Sequence, residues 1–187
     1  MAPLLLLFLI PSGLLLLWAM LIYNRLVRLR QHVRESWSDI DVQLKRRHDL
    51  IPNLVATVRG YAAHEGDVLD KVIRLRAEAM RGGANPRAST QTEAPLAAGL
   101  ASLFGVAERY PELKADVHYR ALQNELAETE DGIGAARRFF NANVRDYNSL
   151  CEQFPSSLVA SLGAFRPVDF FELDDAAERV VPRVTAG

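Results

Sequence analysis

The sequence predicts an all-α protein, with an N-terminal transmembrane helix followed by an elongated antiparallel bundle of three to four long helices in coiled-coil-like packing. Three observations predict it. Residues 1–22 carry no charged side chain, although 24% of the 187 residues are charged. Apolar residues recur at heptad spacing in two separate stretches of the remainder. Beyond short ambiguous runs, no segment alternates apolar and polar residues as a half-buried strand does.

The apolar run Leu4 to Ile22 comes first. At about 1.5 Å per residue its helix approaches the hydrocarbon thickness of a bilayer, about 30 Å. Pro11, Ser12 and Gly13 interrupt it and predict a kink, which membrane helices tolerate when neighbouring groups take up the freed backbone bonds. Trp18 and Tyr23 lie toward its charged end, where amphipathic rings favour the membrane interface. A cleaved leader would need a basic start and a shorter apolar core, and Met1 to Pro3 has no Lys or Arg. Arg25, Arg28, Arg30 and Arg34 follow the run instead, so the positive-inside rule predicts a single pass through the cell membrane with the N-terminus outside and the C-terminal domain cytoplasmic.

Beyond the anchor, Trp37, Leu44, Ile51, Val58 and Val72 form one heptad row, and Ile40, Leu54, Tyr61, Val68 and Leu75 a second. The rows alternate at three and four residues, so they form one stripe that needs a partner helix. Arg47 and Glu65 are charged positions on that stripe. Pro52 costs about 3 kcal/mol in a helix interior, which predicts a break or kink near Asp49 to Pro52. Gly82, Gly83, Asn85, Pro86, Ser89 and Thr90 predict a loop over 81–92, after which Thr92, Glu93 and Pro95 can open a helix carrying Leu96, Leu100, Leu103 and Ala107 on one face. Tyr110 and Pro111 punctuate again. Asp116 is the predicted N-cap of a long helix with Tyr119, Leu126, Ile133, Phe140, Tyr147 and Phe154 in one row and Leu122, Thr129, Ala136, Asn143 and Leu150 in the other. Pro155 ends it, Ser156 or Ser157 can cap a short helix through Leu162, and Gly163 ends that one. The domain reading is an anchor at 1–23, a bundle at 24–165 and an acidic tail at 166–187, in which Phe170 and Phe171 can dock and the residues past Val181 fray.

The run Trp37-Ser38-Asp39-Ile40-Asp41-Val42-Gln43-Leu44 through Arg47-His48-Asp49-Leu50-Ile51-Pro52-Asn53-Leu54-Val55, followed by Gly60-Tyr61 and His64-Glu65, resembles the signature of the bacterial LemA family. Tyr110-Pro111-Glu112-Leu113-Lys114, Leu122-Gln123, Glu125-Leu126, Thr129-Glu130, Arg137-Arg138, Asn141, Tyr147-Asn148 and Phe154-Pro155 extend the resemblance to about Glu172. It implies a membrane helix and an antiparallel helical bundle, and it brings no reaction and no catalytic residue set. The chain departs from the family pattern at Phe140, and at Asp131, Gly132 and Gly134, which put helix continuity there in question because an interior Gly costs about 1 kcal/mol against Ala.

Few residues point to chemistry. His32, His48 and His64 recur at a spacing that turns each about 160° from the last on a straight helix, so they do not converge, and His64-Glu65 lacks the second His of a zinc-binding helix. No metal or cofactor is expected. Cys151 is the only cysteine and reads as a small buried apolar group. Lys45, Arg46, Arg47 and His48 form a basic patch that reads as a solvated helix face or as an interaction patch. Because a charge at a core position needs a carboxylate, Arg47 and Glu65 are each expected to meet the long C-terminal helix, with Glu125, Glu130, Arg137 and Arg138 as candidates. Asn141 and Asn148, each following an aromatic residue, read as register-setting amides or as a ligand strip.

With a net charge of −1 and its aromatics on the core stripe, nucleic-acid binding is not expected. The leading expectation is a membrane-tethered scaffold or adaptor held to the bilayer by residues 4–22 and engaging a protein partner or a second copy. The alternative is a sensor of a small ligand or lipid headgroup, and an enzyme is third.

Overall fold

The computed structural model describes residues 2–82 and 85–172, with side chains from Leu9 onward. Among them are six helices and no strand: α1 (Ala2–Tyr61), α2 (Gly66–Gly82), α3 (Pro86–Ala107), α4 (Pro111–Ala115), α5 (Val117–Glu152) and α6 (Ser156–Leu162). The all-α reading holds. The acidic residues Asp174, Asp175 and Glu178, and the end past Val181, lie outside the described residues. Of the two tail rings, Phe171 is fully buried and Phe170 is 39% exposed.

The chain forms two compact units, and both α1 and α5 contribute to each. One holds the described residues up to Leu44 with Asp131–Phe170, and the other holds Lys45–Glu130 with Phe171 and Glu172.

In the first unit, Leu26, Val33, Ile40 and Leu44 of α1 and Ile133, Phe140, Val144 and Tyr147 of α5 form the core. Trp37 meets Phe140 with ring centroids 5.4 Å apart, and Gln43 lies against Gly132. Residue numbers rise on α1 as they fall on α5, so the two helices are antiparallel, as the heptad rows require. In the second unit, Ile51, Leu54, Val55 and Val58 of α1 join Leu69 and Val72 of α2, Leu96, Leu100 and Leu103 of α3, Leu113 of α4, and Tyr119 and Leu126 of α5 in one apolar cluster.

Several sequence expectations are corrected. Of the break or kink expected at Asp49 to Pro52, the break does not occur, because α1 runs through Pro52. Proline lacks the N–H that would bond the carbonyl four residues back, here that of His48, and Arg76 Nε of α2 donates to that oxygen at 2.6 Å instead. The apolar segment and the first bundle helix are one helix, which runs on through Pro11 to Gly13 and past Tyr23. The stripe does not continue unbroken past Tyr61. The chain turns at residues 62–65, and α2 buries Leu69 and Val72 while Val68 and Leu75 are half-buried.

The loop expected over 81–92 is shorter. Asn85 Oδ1 accepts from the Ala88 N–H at 2.8 Å, so α3 opens at Pro86, a favoured first helical residue, and Pro95 lies inside the helix. Asp116 is the α5 cap, its Oδ1 accepting from the Tyr119 N–H at 2.8 Å. The α5 helix crosses Asp131, Gly132 and Gly134 without interruption. Phe154, placed on the buried row, is 81% exposed, because α5 has already ended at Glu152. Neither Ser156 nor Ser157 caps α6; the Ser156 hydroxyl donates back to the Gln153 carbonyl at 2.8 Å.

Candidate functional site

The second unit is built around a buried charge. Arg47, at a core position of α1, is fully buried. Its Nη1 donates to both carboxylate oxygens of Glu130 on α5, at 2.9 and 3.1 Å, and its Nη2 donates to Glu93 Oε2 on α3. The other Glu93 oxygen is 2.9 Å from His48 Nε2. Glu93 is 2% exposed, His48 8%, and Thr129, one residue before Glu130, is fully buried. Arg47 Nε has no hydrogen-bond partner, a cost the network carries.

The electrostatics follow from this geometry. Burial works to raise the Glu93 pKa, but the hydrogen bond from His48 and the charges of Arg47 and His48 outweigh it and hold the carboxyl below its usual value. For Arg47, burial opposes the charge, while Glu130 and Glu93 more than restore it, so its pKa lies above the usual guanidinium value. The arrangement fixes an ion triad spanning three helices. Both Glu93 oxygens are engaged within the network.

The four residues of the basic patch therefore part company. Arg47 and His48 turn into the core, while Lys45 and Arg46 stay exposed, Arg46 reaching Glu128 at 3.8 Å. The expected Arg47 partner on the C-terminal helix is found in Glu130. Glu65 instead meets Arg109, whose Nη2 donates to it at 2.7 Å, because the turn at residues 62–65 carries Glu65 away from the stripe. The Asn148 side chain does not bridge helices. It donates to the Val168 carbonyl at 2.8 Å and accepts from the Val168 N–H at 2.9 Å, pinning the segment after α6 in the first unit. Asn141 is half-buried.

Sequence reasoning missed Glu93 and Arg76. Glu93 had a legible signal, since it continues the stripe Leu96, Leu100 and Leu103 one turn backward, with Ser89 a turn further, and all are buried. Arg76 had none, because nothing local marks it as a cap for a carbonyl on another helix. Also unforeseen is a cleft of about 280 Å³ lined by Tyr61, Arg109, Tyr110, Pro111 and Glu112. Beside it, the Tyr61 hydroxyl donates to Asp116 at 3.0 Å. The Tyr119 N–H and that hydroxyl hold the Asp116 carboxyl below its usual pKa.

These features define a class: an all-helical protein whose first helix has a segment long and apolar enough to cross a membrane and continues into a bundle pinned by a buried ion triad. The chain belongs to the LemA family, whose sequence profile matches residues 36–185. It is similar to the magnetosome protein MamQ of Magnetospirillum gryphiswaldense, at 23% identity over 83% of this chain and 66% of the relative. It is also similar to the protein LemA of Metamycoplasma hominis, at 25% identity over 73% of this chain and 63% of the relative. The chain thus spans a little under two thirds of the length of these curated relatives.

Two outcomes test the site. Arg76→Ala leaves the His48 carbonyl without a donor and should cost about 1–3 kcal/mol. In a Pro52→Ala background, the restored N–H should remove most of that cost, which a double-mutant cycle of thermal melts reads directly. Glu93 has a folded pKa below its unfolded value, so its contribution is present above the ordinary carboxylate range and is lost as pH falls through the folded value. Glu93→Gln should accordingly lower stability at neutral pH and flatten its dependence on pH below about 4.5, measured by melting across an acid series.

Proposed function

We propose that this chain is a membrane-anchored, non-enzymatic scaffold or adaptor that presents its helical surface to a protein partner or to a second copy of itself. The observation that carries this reading is the use made of its charged groups. Arg47, Glu93 and His48, the buried set that could have formed a catalytic centre, are consumed in pairing three helices. Lys45 and Arg46 remain exposed on α1 and offer a basic contact for an acidic partner surface. The sensor reading loses one of its elements, since the Asn148 amide is already engaged by Val168.

The proposed topology is a single pass of the cell membrane with the N-terminus outside and the bundle in the cytoplasm. It is supported by Arg25, Arg28, Arg30 and Arg34 directly after the apolar segment. The anchor is supported by the exposure of that segment, whose Leu14, Leu15, Leu16 and Leu17 are each more than half exposed and would lie against lipid.

Purification of the full chain in mild detergent should recover a stoichiometric partner or a homo-oligomer, and Lys45→Glu with Arg46→Glu should weaken that association. A monodisperse monomer with no partner would overturn the scaffold reading. A cytosol-dependent reporter fused after Gly187 should be active, and activity only from a reporter that works outside would reverse the orientation.

A further inference from the structure

Within the first unit, α5 runs back along α1 toward the apolar segment. Gln43 lies against Gly132 and Trp37 faces Phe140, so later turns of α5 meet earlier turns of α1. The helix ends at Glu152, and the chain beyond it meets Tyr23, the residue directly after the apolar segment. Phe165 packs on the Tyr23 ring edge-on, with centroids 5.4 Å apart, and the Arg30 guanidinium covers the Phe165 ring at 4.9 Å. Gly163 permits this contact: a Cβ there would lie 2.6 Å from the Phe165 ring and 3.2 Å from that of Tyr23. The chain closes α6 over it, with the Phe165 N–H bonded to the Ala160 carbonyl at 2.9 Å and Ala164 in the left-handed region at φ 52°.

The α6 helix is therefore held at the level where α1 leaves its apolar segment, and its outer face has an unusual composition. From Phe154 to Phe165 the sequence carries no charged side chain, with Glu152 and Arg166 the nearest charges on either side. Leu158 and Leu162 lie one turn apart on α6 and are 57% and 90% exposed, and Phe154, in the turn that leads into the helix, is 81% exposed. Water is a poor solvent for three large apolar side chains in a row. The cations that flank the level, Arg25, Arg28 and Arg166, are exposed and suited to phosphate headgroups.

We propose that Phe154 and α6 form a second membrane contact, an uncharged foot whose outer face, Phe154, Leu158 and Leu162, enters the headgroup–acyl boundary of the phospholipid bilayer beside the transmembrane segment. The occupant is lipid because the face adjoins the residue at which the apolar segment ends, and arginines border it. Such an interfacial helix sits about 5–10 Å into the boundary. Together with the anchor it fixes the tilt and rotation of the first unit at the bilayer, which a single helix leaves free.

The inference rests on the apolar segment spanning the membrane, and the test separates the two. Full-length protein with Cys151→Ala and a single new cysteine is labelled with an environment-sensitive fluorophore and reconstituted into vesicles of phosphatidylcholine and phosphatidylglycerol, with and without brominated acyl chains. Labels at Leu162→Cys and Phe154→Cys should emit to the blue and lose intensity with brominated lipid, as the label at Leu15→Cys should, whereas Val42→Cys, 64% exposed on α1, should do neither. Quenching at Leu15 with Leu162 and Phe154 behaving like Val42 would overturn the foot and leave the anchor standing. Loss of quenching at Leu15 as well would overturn both. Labels at Leu162 and Phe154 shielded from aqueous iodide but unaffected by brominated lipid would mean that protein covers this face, which also overturns the proposal.

Discussion

A fully buried guanidinium constrains the second unit more than any apolar contact does. Apolar side chains are interchangeable to within a turn of helix, since one leucine fills a hole much as another does. The Arg47 charge is not, because moving it out of reach of its carboxylates would leave an unpaired ion in the core, at a cost of about 3–5 kcal/mol. With Nη1 on Glu130 and Nη2 on Glu93, the positions of α1, α3 and α5 along their axes are tied to one another. Buried ion pairs are weak sources of net stability compared with apolar replacements of similar volume. The physical role that fits the triad is therefore register, the discrimination of one alignment of helices against those a heptad away.

How far this was legible from sequence varies with the range of the interaction. The α5 row is the clearest case: Tyr119, Leu126, Ile133, Phe140 and Tyr147 repeat by heptads and all five are buried. Arg47 announced its need for an acid by its phase alone, and Glu130 was among the carboxylates within reach. Glu93 is harder to see because Thr92 and Pro95 resemble a helix start, while the Asn85 and Pro86 pair is the stronger local signal. The uninterrupted α1 at Pro52 was beyond any local reading, because the group that replaces the missing N–H is a side chain on the next helix, Arg76. Propensity places a cost at that proline, and tertiary structure determines whether it becomes a break.

The same distinction separates the two glycines of α5 from the glycine after α6. At Gly134 an added Cβ would meet only Arg138 at 3.5 Å, an ordinary contact, so nothing in the packing requires glycine there and its propensity cost is simply absorbed by a helix packed along its length. At Gly132 the neighbour is the flexible end of Gln43, which can move aside. At Gly163 the neighbours are two aromatic rings, which cannot do so without giving up their contact. Composition presents all three as helix breakers, and only the contacts show that one of them is a packing requirement.

Continuity of α1 gives these local facts a common consequence. A helix has no torsional slack between adjacent turns, so the face on which Leu26, Val33 and Ile40 are buried fixes in phase the directions taken by Arg25 and Arg28 and by the apolar residues before them. A flexible linker after residue 23 would have erased that relation and let the bundle turn freely above its anchor. With one uninterrupted helix, the rotation of the membrane segment and the orientation of the first unit are a single variable. Any further contact with lipid near Tyr23 then acts on the whole unit, because no joint in α1 intervenes to absorb it.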